Sequence, residues 1–171
     1  GNMEIFQALI NTGVTIDGYD RHNRTPIMLA IRNHNNNIAE ELFTMKAKYY
    51  KEDNSLNSVL HYAAAYGNVP MLQCLLQKLK QRKNKRNYYP WEVAVGKGHY
   101  GCSRILEDVE TTEEGEFQFV NNLALMIFKI VDGTTESLRM LRHLIDCGKY
   151  DLNEVDSNGA NVLHYVCGIS Q

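Results

Sequence analysis

The sequence predicts an all-α fold, a solenoid of about five stacked helix pairs joined by β-turn-like loops. Residues 20–43, 53–76 and 84–106 align with one another without gaps, and residues 156–167 repeat their opening half. The large apolar residue that follows proline or its substitute recurs at intervals of 33, 31, 32 and 40 residues. A period near 33 residues is typical of a unit built from a β-turn and two helices.

The recurring apolar residue defines the expected core. Helix pairs in such an array bury their apolar faces against their neighbours, so equivalent positions of successive units should meet in one continuous core. The residues at this position are Ile27, Leu60, Trp91, Leu123 and Leu163.

The elements of each unit follow in a constant order. Thr25 or Ser58 stands where the first helix should be capped, and Pro26 or Pro90 occupies the first helical position, where a missing N–H costs nothing. Alanines then allow neighbouring inner helices to approach closely, and a turn containing Gly67 or Gly98 leads to the second helix. Apolar residues three and four positions apart identify that second helix.

We treat residues 1–171 as a single repeat domain whose period sets approximate unit boundaries. The units are 1–19 (partial), 20–52, 53–83, 84–115, 116–155 (irregular) and 156–171 (partial). Incomplete end units should leave apolar side chains exposed at Ile5, Leu9, Leu163 and Val166. The chain is therefore expected to be a piece of a longer protein.

The irregular unit contains an acidic stretch at residues 107–116. One interpretation is a tolerated surface insertion, because lengthening a loop costs little free energy. The other is an acidic loop that contacts a partner or folds back on the chain itself. The sequence leaves both open.

Several motifs carry a resemblance to the ankyrin repeat family. Residues 58–68 (SVLHYAAAYGN) and 161–167 (NVLHYVC) are similar to the family's TPLHxAA pattern, and residues 24–30 (RTPIMLA) keep its Thr-Pro. The resemblance extends across nearly the whole chain. Met28, Glu92 and Ala124 depart from it, since the family usually has histidine there.

No catalytic or cofactor site emerges from the sequence. Gly96 to Gly101 match GxGxxG, but residues 91–95 occupy the first-helix position of a repeat, so the glycines belong to an inter-helix turn and not to a dinucleotide site. His61 and His164 recur at the repeat period and, with His99, are interpreted as structural. The histidines and the four cysteines lack metal-ligand spacing, so we expect no metal and reduced thiols.

Charge is unevenly distributed along the chain. Residues 1–106 carry 14 Lys and Arg against 8 Asp and Glu, whereas residues 107–171 carry 4 against 12. A basic run at residues 78–86 fits either a solvated helix end or a nucleic-acid contact.

The family resemblance implies where a partner binds: the residues just before the Thr-Pro position and just after the paired alanines. Mapped onto this chain, the candidate partner-binding residues are Arg21, His22, Arg24, Arg32, Asn33, Asn54, Asn57, Tyr66, Lys85, Arg86, Tyr88 and Lys97. Six are cations and none is acidic, which favours an acidic or phosphorylated peptide, because arginine binds carboxylate and phosphate through two parallel hydrogen bonds.

The sequence thus predicts a non-catalytic scaffold or adaptor module that binds a protein or peptide ligand on its concave face and loop tips. The alternative is a regulatory ankyrin segment of a larger enzyme or ion channel. Nucleic-acid binding ranks third, because no nucleic-acid-binding module is recognisable. No apolar run approaches the roughly 20 residues of a membrane helix, and no secretion signal is present, so an intracellular protein without cofactors is expected. The sequence does not give the oligomeric state.

Overall fold

The computed structural model describes residues 2–107, 135–147, 152–153, 155, 159–161, 163–164 and 167. The chain divides into two compact units, Gly1–Thr112 and Glu113–Gln171.

The first unit is a series of antiparallel helix pairs. Its helices are α1 (Met3–Asn11), α2 (Pro26–Arg32), α3 (Asn36–Thr44), α4 (Val59–Ala65), α5 (Val69–Leu76), α6 (Pro90–Gly96) and α7 (Tyr100–Glu107). The inner helices α2, α4 and α6 pack side by side in that order, and the outer helices α3, α5 and α7 do the same behind them. The described residues contain no β-strand. The predicted all-α stack of helix pairs is confirmed.

The inner helices begin where the sequence predicts, and their third residue closes the first turn. Ser58 and Tyr89 are N-cap residues of α4 and α6. The Ser58 N–H donates to His61 Nδ1 at 3.2 Å, and the Tyr89 N–H donates to Glu92 Oε2 at 2.6 Å. At the start of α2 the third residue is Met28, whose sulfur is a weak acceptor 3.4 Å from the backbone nitrogen of the N-cap residue. Glutamate therefore replaces histidine at this position without losing the bond to the N-cap.

The core prediction is confirmed for two residues and corrected for one. Ile27 and Leu60 are fully buried, and Trp91 is partly buried against the same cluster. Leu123 lies outside the described residues. Leu163, in the second unit, is 65 % exposed, so its assignment to the core is wrong. An inner helix is covered only where neighbouring helices stack on it, and no helix follows Leu163 among the described residues.

The apparent GxGxxG motif is a turn, as predicted. Helix α6 ends at Gly96, Lys97 is its C-cap, and Gly98 adopts φ +75° before α7 begins at Tyr100. The equivalent Gly67 has φ +67°, and a side chain there would collide with the His99 ring. These positive φ angles reverse the chain between two helices.

Exposure at the ends of the chain follows the sequence expectation. Ile5, Leu9 and Leu163 are 59 %, 49 % and 65 % exposed, whereas Val166 lies outside the described residues. In the second unit, helix α8 (Thr135–Cys147) presents Leu138 and Ile145, each 50 % exposed. The acidic stretch falls almost entirely outside the described residues.

Free thiols are found at three of the predicted reduced cysteines. Cys102 is buried, Cys74 is half-buried and Cys167 is exposed. Burial raises the pKa of the Cys102 thiol to about 11, which leaves it protonated and unreactive near neutral pH.

Candidate functional site

Three turns precede the inner helices, and one hydrogen-bond pattern shapes them all. The Oδ1 atom of the first turn residue accepts from the backbone N–H groups two and four residues later. Asp20, Asp53 and Asn84 play this role, with N···O distances between 2.8 and 3.1 Å. The side chain therefore determines the turn before any partner is present.

Backbone hydrogen bonds join successive turns into one row. The Asn54 N–H donates to the His22 carbonyl at 3.0 Å, and the Lys85 N–H donates to the Ser55 carbonyl at 2.9 Å. We call the exposed residues along this edge the tip row: Arg21, His22, Asn54, Lys85 and Arg86. The structure thus brings together five of the predicted binding residues.

The charge of one predicted contact, Arg24, is compensated within the molecule. Its Nε donates to Asp20 Oδ2 at 2.7 Å, and its guanidinium forms an ion pair with the same carboxylate. Hydrogen bonds from Arg24 hold the pKa of Asp20 well below its ordinary value. Arg24 therefore helps to hold the turn that begins at Asp20, and its charge is less available to a ligand than the sequence implied.

Asn57 and Tyr88 also take part in internal hydrogen bonds. The Asn57 amide donates to Asp53 Oδ2 at 3.0 Å, and its Oδ1 accepts from the Asn84 side chain at 2.8 Å. The Tyr88 carbonyl accepts from His61 Nε2 at 3.0 Å, so the buried imidazole bridges two repeats. Burial lowers the pKa of His61, which keeps it neutral and confirms a structural role.

A second row of predicted residues lies at the ends of the inner helices. Asn33, Tyr66 and Lys97 are the C-cap residues of α2, α4 and α6. The guanidinium of Arg32, the last residue of α2, lies 5.4 Å from the centroid of the Tyr66 ring, a cation–π contact. We call Arg32, Asn33, Tyr66 and Lys97 the helix-end row.

The sequence did not identify Tyr62, a buried residue that supports this surface from below. Its ring stacks on Tyr66 with centroids 6.4 Å apart, and its hydroxyl donates to Asp53 Oδ2 at 2.9 Å. Burial and the neighbouring Asp53 raise the pKa of Tyr62. Burial opposes ionisation of Asp53, yet hydrogen bonds from Asn57, Tyr62 and Ser55 hold its pKa below the ordinary value. The sequence signal that could have identified Tyr62 is its position four residues before Tyr66, because side chains four apart on a helix are neighbours.

Four further predicted binding residues, Arg32, Lys85, Arg86 and Lys97, form no ion pair in the part of the chain that the structure describes. Asp20 pairs with Arg24, and Asp17 pairs with Lys48. Arg32 and Lys97 in the helix-end row are therefore uncompensated, as are Lys85 and Arg86 in the tip row. An anionic group at the surface can engage these side chains without breaking an existing ion pair among the described residues.

The described residues show no cluster of metal-ligating side chains. Within those same ranges, no helix is long and apolar enough to cross a membrane. His99 packs on Gly67 of the preceding turn, in agreement with its predicted structural role.

Comparisons with known proteins give one consistent result. The ankyrin repeat model matches residues 55–83. The chain is 30 % identical over 173 residues to the poly [ADP-ribose] polymerase tankyrase of Caenorhabditis elegans, covering 96 % of this chain and 8 % of that protein.

Two solved structures share the fold. A crystal structure of an ankyrin repeat protein has a TM-score of 0.74 at 20 % identity, covering 97 % of this chain and 85 % of the other. An ankyrin repeat domain from Acinetobacter baumannii has a TM-score of 0.72 at 22 % identity, covering 96 % and 85 %.

Proposed function

This chain has the ankyrin repeat fold, with a recognisable ankyrin repeat at residues 55–83, and we propose that it is a non-catalytic module that binds an acidic protein segment. Ankyrin repeats generally mediate protein–protein interaction. The proposed ligand lies across the helix-end row and the tip row, in an extended or helical conformation, and carries carboxylate or phosphate groups.

The observation that carries this proposal is the state of Arg32. One face of its guanidinium rests on Tyr66, and no acidic side chain among the described residues pairs with it. A guanidinium held by a ring loses little conformational freedom on binding, and it offers two parallel N–H donors to a carboxylate or phosphate. Lys97, the C-cap residue of the inner helix α6, supplies a second positive charge.

The two aspartates near this surface do not cancel the attraction. Asp20 is paired with Arg24, and Asp53 accepts hydrogen bonds from Tyr62, Asn57 and the backbone of its own turn. These carboxylates are therefore already engaged in stabilising the turns. The exposed charges that remain on the two rows are positive. They favour an acidic ligand because they attract it during diffusional encounter and contact it directly in the complex.

A defined probe tests the proposal. Phage-displayed random 16-residue peptides are selected for binding to the protein, and the peptide that binds most tightly is synthesised. A second peptide is made with Gln and Asn in place of its Glu and Asp residues. The expected selection is rich in acidic residues. The double variant Arg32→Glu/Lys97→Glu should weaken binding of the acidic peptide at least about tenfold, the equivalent of about 1.4 kcal/mol.

The matched control is Arg104→Glu, which reverses an exposed cation on the outer helix α7. It should bind the peptide as the unchanged protein does. Failure to select any peptide, or equal binding by the double variant, would rule out the acidic-ligand proposal.

A second candidate function follows from the relative with the longer chain. Since the aligned region is 8 % of a protein named as a polymerase, these repeats fit a regulatory segment of a larger enzyme or ion channel. A catalytic or membrane-spanning domain in the flanking coding sequence would support this candidate. Nucleic-acid binding through residues 78–86 stays in third place and would show as affinity that falls steeply with salt.

A further inference from the structure

The fourth residue of each turn adopts a left-handed backbone conformation. In the three turns this residue is Asn23, Leu56 and Asn87, with φ of 61°, 57° and 65°, and Gly159, at the equivalent position of the sequence repeat, has φ of 73°. Glycine adopts such angles freely, and asparagine tolerates them better than other side chains do. A leucine in this conformation is a genuine outlier. Three units thus use a residue suited to the turn, and the second repeat does not.

The location of Leu56 gives no packing reason for its presence. Its side chain is 41 % exposed and lies outside the central apolar cluster, so packing in the core does not offset the backbone strain. It follows Ser55, whose carbonyl accepts from the Lys85 N–H, and precedes Asn57, whose amide is bonded to Asp53. Both flanking residues are held by the neighbouring hydrogen bonds, so the leucine is presented from a rigid turn in the middle of the tip row. Residues held in unfavourable backbone conformations often mark functional sites.

We propose that Leu56 is an apolar anchor for the ligand, and that the ligand is an acidic segment that carries a large apolar side chain. This inference rests on the proposed function. Lys85 is joined to the turn of Leu56 by a backbone hydrogen bond, and Arg86 follows it, so an acidic residue beside the apolar one meets a cation at the same place. A central apolar contact surrounded by polar ones is the usual anatomy of a protein interface.

Three variants test the anchor with the 16-residue acidic peptide selected above. Leu56→Gly removes both the side chain and the strain, Leu56→Met keeps an apolar side chain, and Asn87→Gly is the matched control at the equivalent position of the next turn. We expect Leu56→Gly to raise the melting temperature and to weaken peptide binding about tenfold, the loss of one well-packed anchor. Leu56→Met should bind within about threefold of the unchanged protein, because the swap conserves apolar volume, and Asn87→Gly should bind equally.

Equal peptide affinity for Leu56→Gly would overturn the inference, and so would a lower melting temperature, because the argument requires that leucine strains the turn. The two proposals fail separately. If Arg32→Glu/Lys97→Glu loses binding while Leu56→Gly does not, the acidic-ligand function stands and the anchor falls. Replacing the largest apolar residue of the peptide with alanine should weaken binding to the unchanged protein and have little further effect on Leu56→Gly.

Discussion

The second full repeat (residues 53–83) and the described part of the third (residues 84–107) have the same order of turn and helices but differ in how their polar side chains are used. In the second, Asp53, Asn57 and Tyr62 satisfy one another around the turn. In the third, Lys85 and Lys97 point their charges at solvent with no acidic partner among the described residues. The repeat therefore determines which positions face inward, whereas the residues at the outward positions set the charge that each repeat presents to solvent.

The two repeats also fill one inward position with opposite chemistry. The third residue of α4 is His61, which bonds to the N-cap Ser58 on one side and to the next repeat on the other. The third residue of α6 is Glu92, which bonds to the N-cap Tyr89. Both are buried, so burial lowers the pKa of the histidine and raises that of the glutamate. Equivalent positions therefore respond to opposite changes in pH.

The largest effect is expected at Leu60, in the core of the second repeat. It is 1 % exposed and packs in the central cluster, so Leu60→Ala should lower the free energy of unfolding by about 2–5 kcal/mol through the cavity it leaves. Urea denaturation monitored by circular dichroism measures this change. A loss below about 1 kcal/mol would contradict the assignment of Leu60 to the center of the stack.

The third repeat should respond to pH through Glu92. Burial raises its pKa from 4.5 to about 7, so the folded state holds the proton more tightly than the unfolded state does. The contribution of Glu92 to the free energy of unfolding is therefore greatest below pH 4.5 and is lost as the pH rises through 7. Glu92→Gln keeps an oxygen acceptor for the Tyr89 N–H and removes the ionisation.

The stability of Glu92→Gln relative to the unchanged protein should therefore increase between pH 5 and pH 8, by as much as about 2.5 kcal/mol. Urea denaturation of both proteins at the two pH values measures the difference. The same difference at both pH values would show that Glu92 does not titrate in this range.

A smaller effect is expected at Tyr62, whose hydroxyl links α4 to the turn of the second repeat. Tyr62→Phe keeps the ring but leaves Asp53 without one donor, which should cost about 1–2 kcal/mol. Tyr66→Phe is the matched control, since Tyr66 is 37 % exposed and stacks through its ring. Thermal unfolding of the two variants should separate them, and equal melting temperatures would contradict the role assigned to the Tyr62–Asp53 hydrogen bond.

The helix pairs could be predicted from the sequence because one apolar spacing recurs in each unit, as at Ile27 and Leu60. Their burial follows from that period wherever helices stack on both sides, whereas Leu163, at the same position with no helix after it among the described residues, is exposed. The compensation of Arg24 could not be predicted in the same way. Asp20 lies four residues before Arg24, but in a turn, where the spacing rule for helices does not apply. The two side chains meet because Asp20 also accepts hydrogen bonds from the backbone N–H groups of the turn.

Leu56 escaped sequence reasoning for a different physical reason. The repeat pattern records which positions are apolar or polar, whereas the sign of φ at a turn position depends on the hydrogen bonds around it. A comparison of Asn23, Asn87 and Gly159 with Leu56 becomes informative only when all four are known to share the left-handed conformation. The sequence could predict which residues are candidate contacts. It could not predict which of their charges form internal ion pairs or which of their backbones adopt the left-handed conformation.

The most direct test of the central claim is the affinity of the selected acidic 16-residue peptide for Arg32→Glu/Lys97→Glu, measured by isothermal titration calorimetry beside Arg104→Glu and the unchanged protein. If the uncompensated cations of the helix-end row bind the ligand, affinity falls at least about tenfold in the double variant only, and the Gln/Asn copy of the peptide binds all three proteins weakly. Equal affinity of the acidic peptide for all three, with unchanged circular dichroism, would contradict the claim.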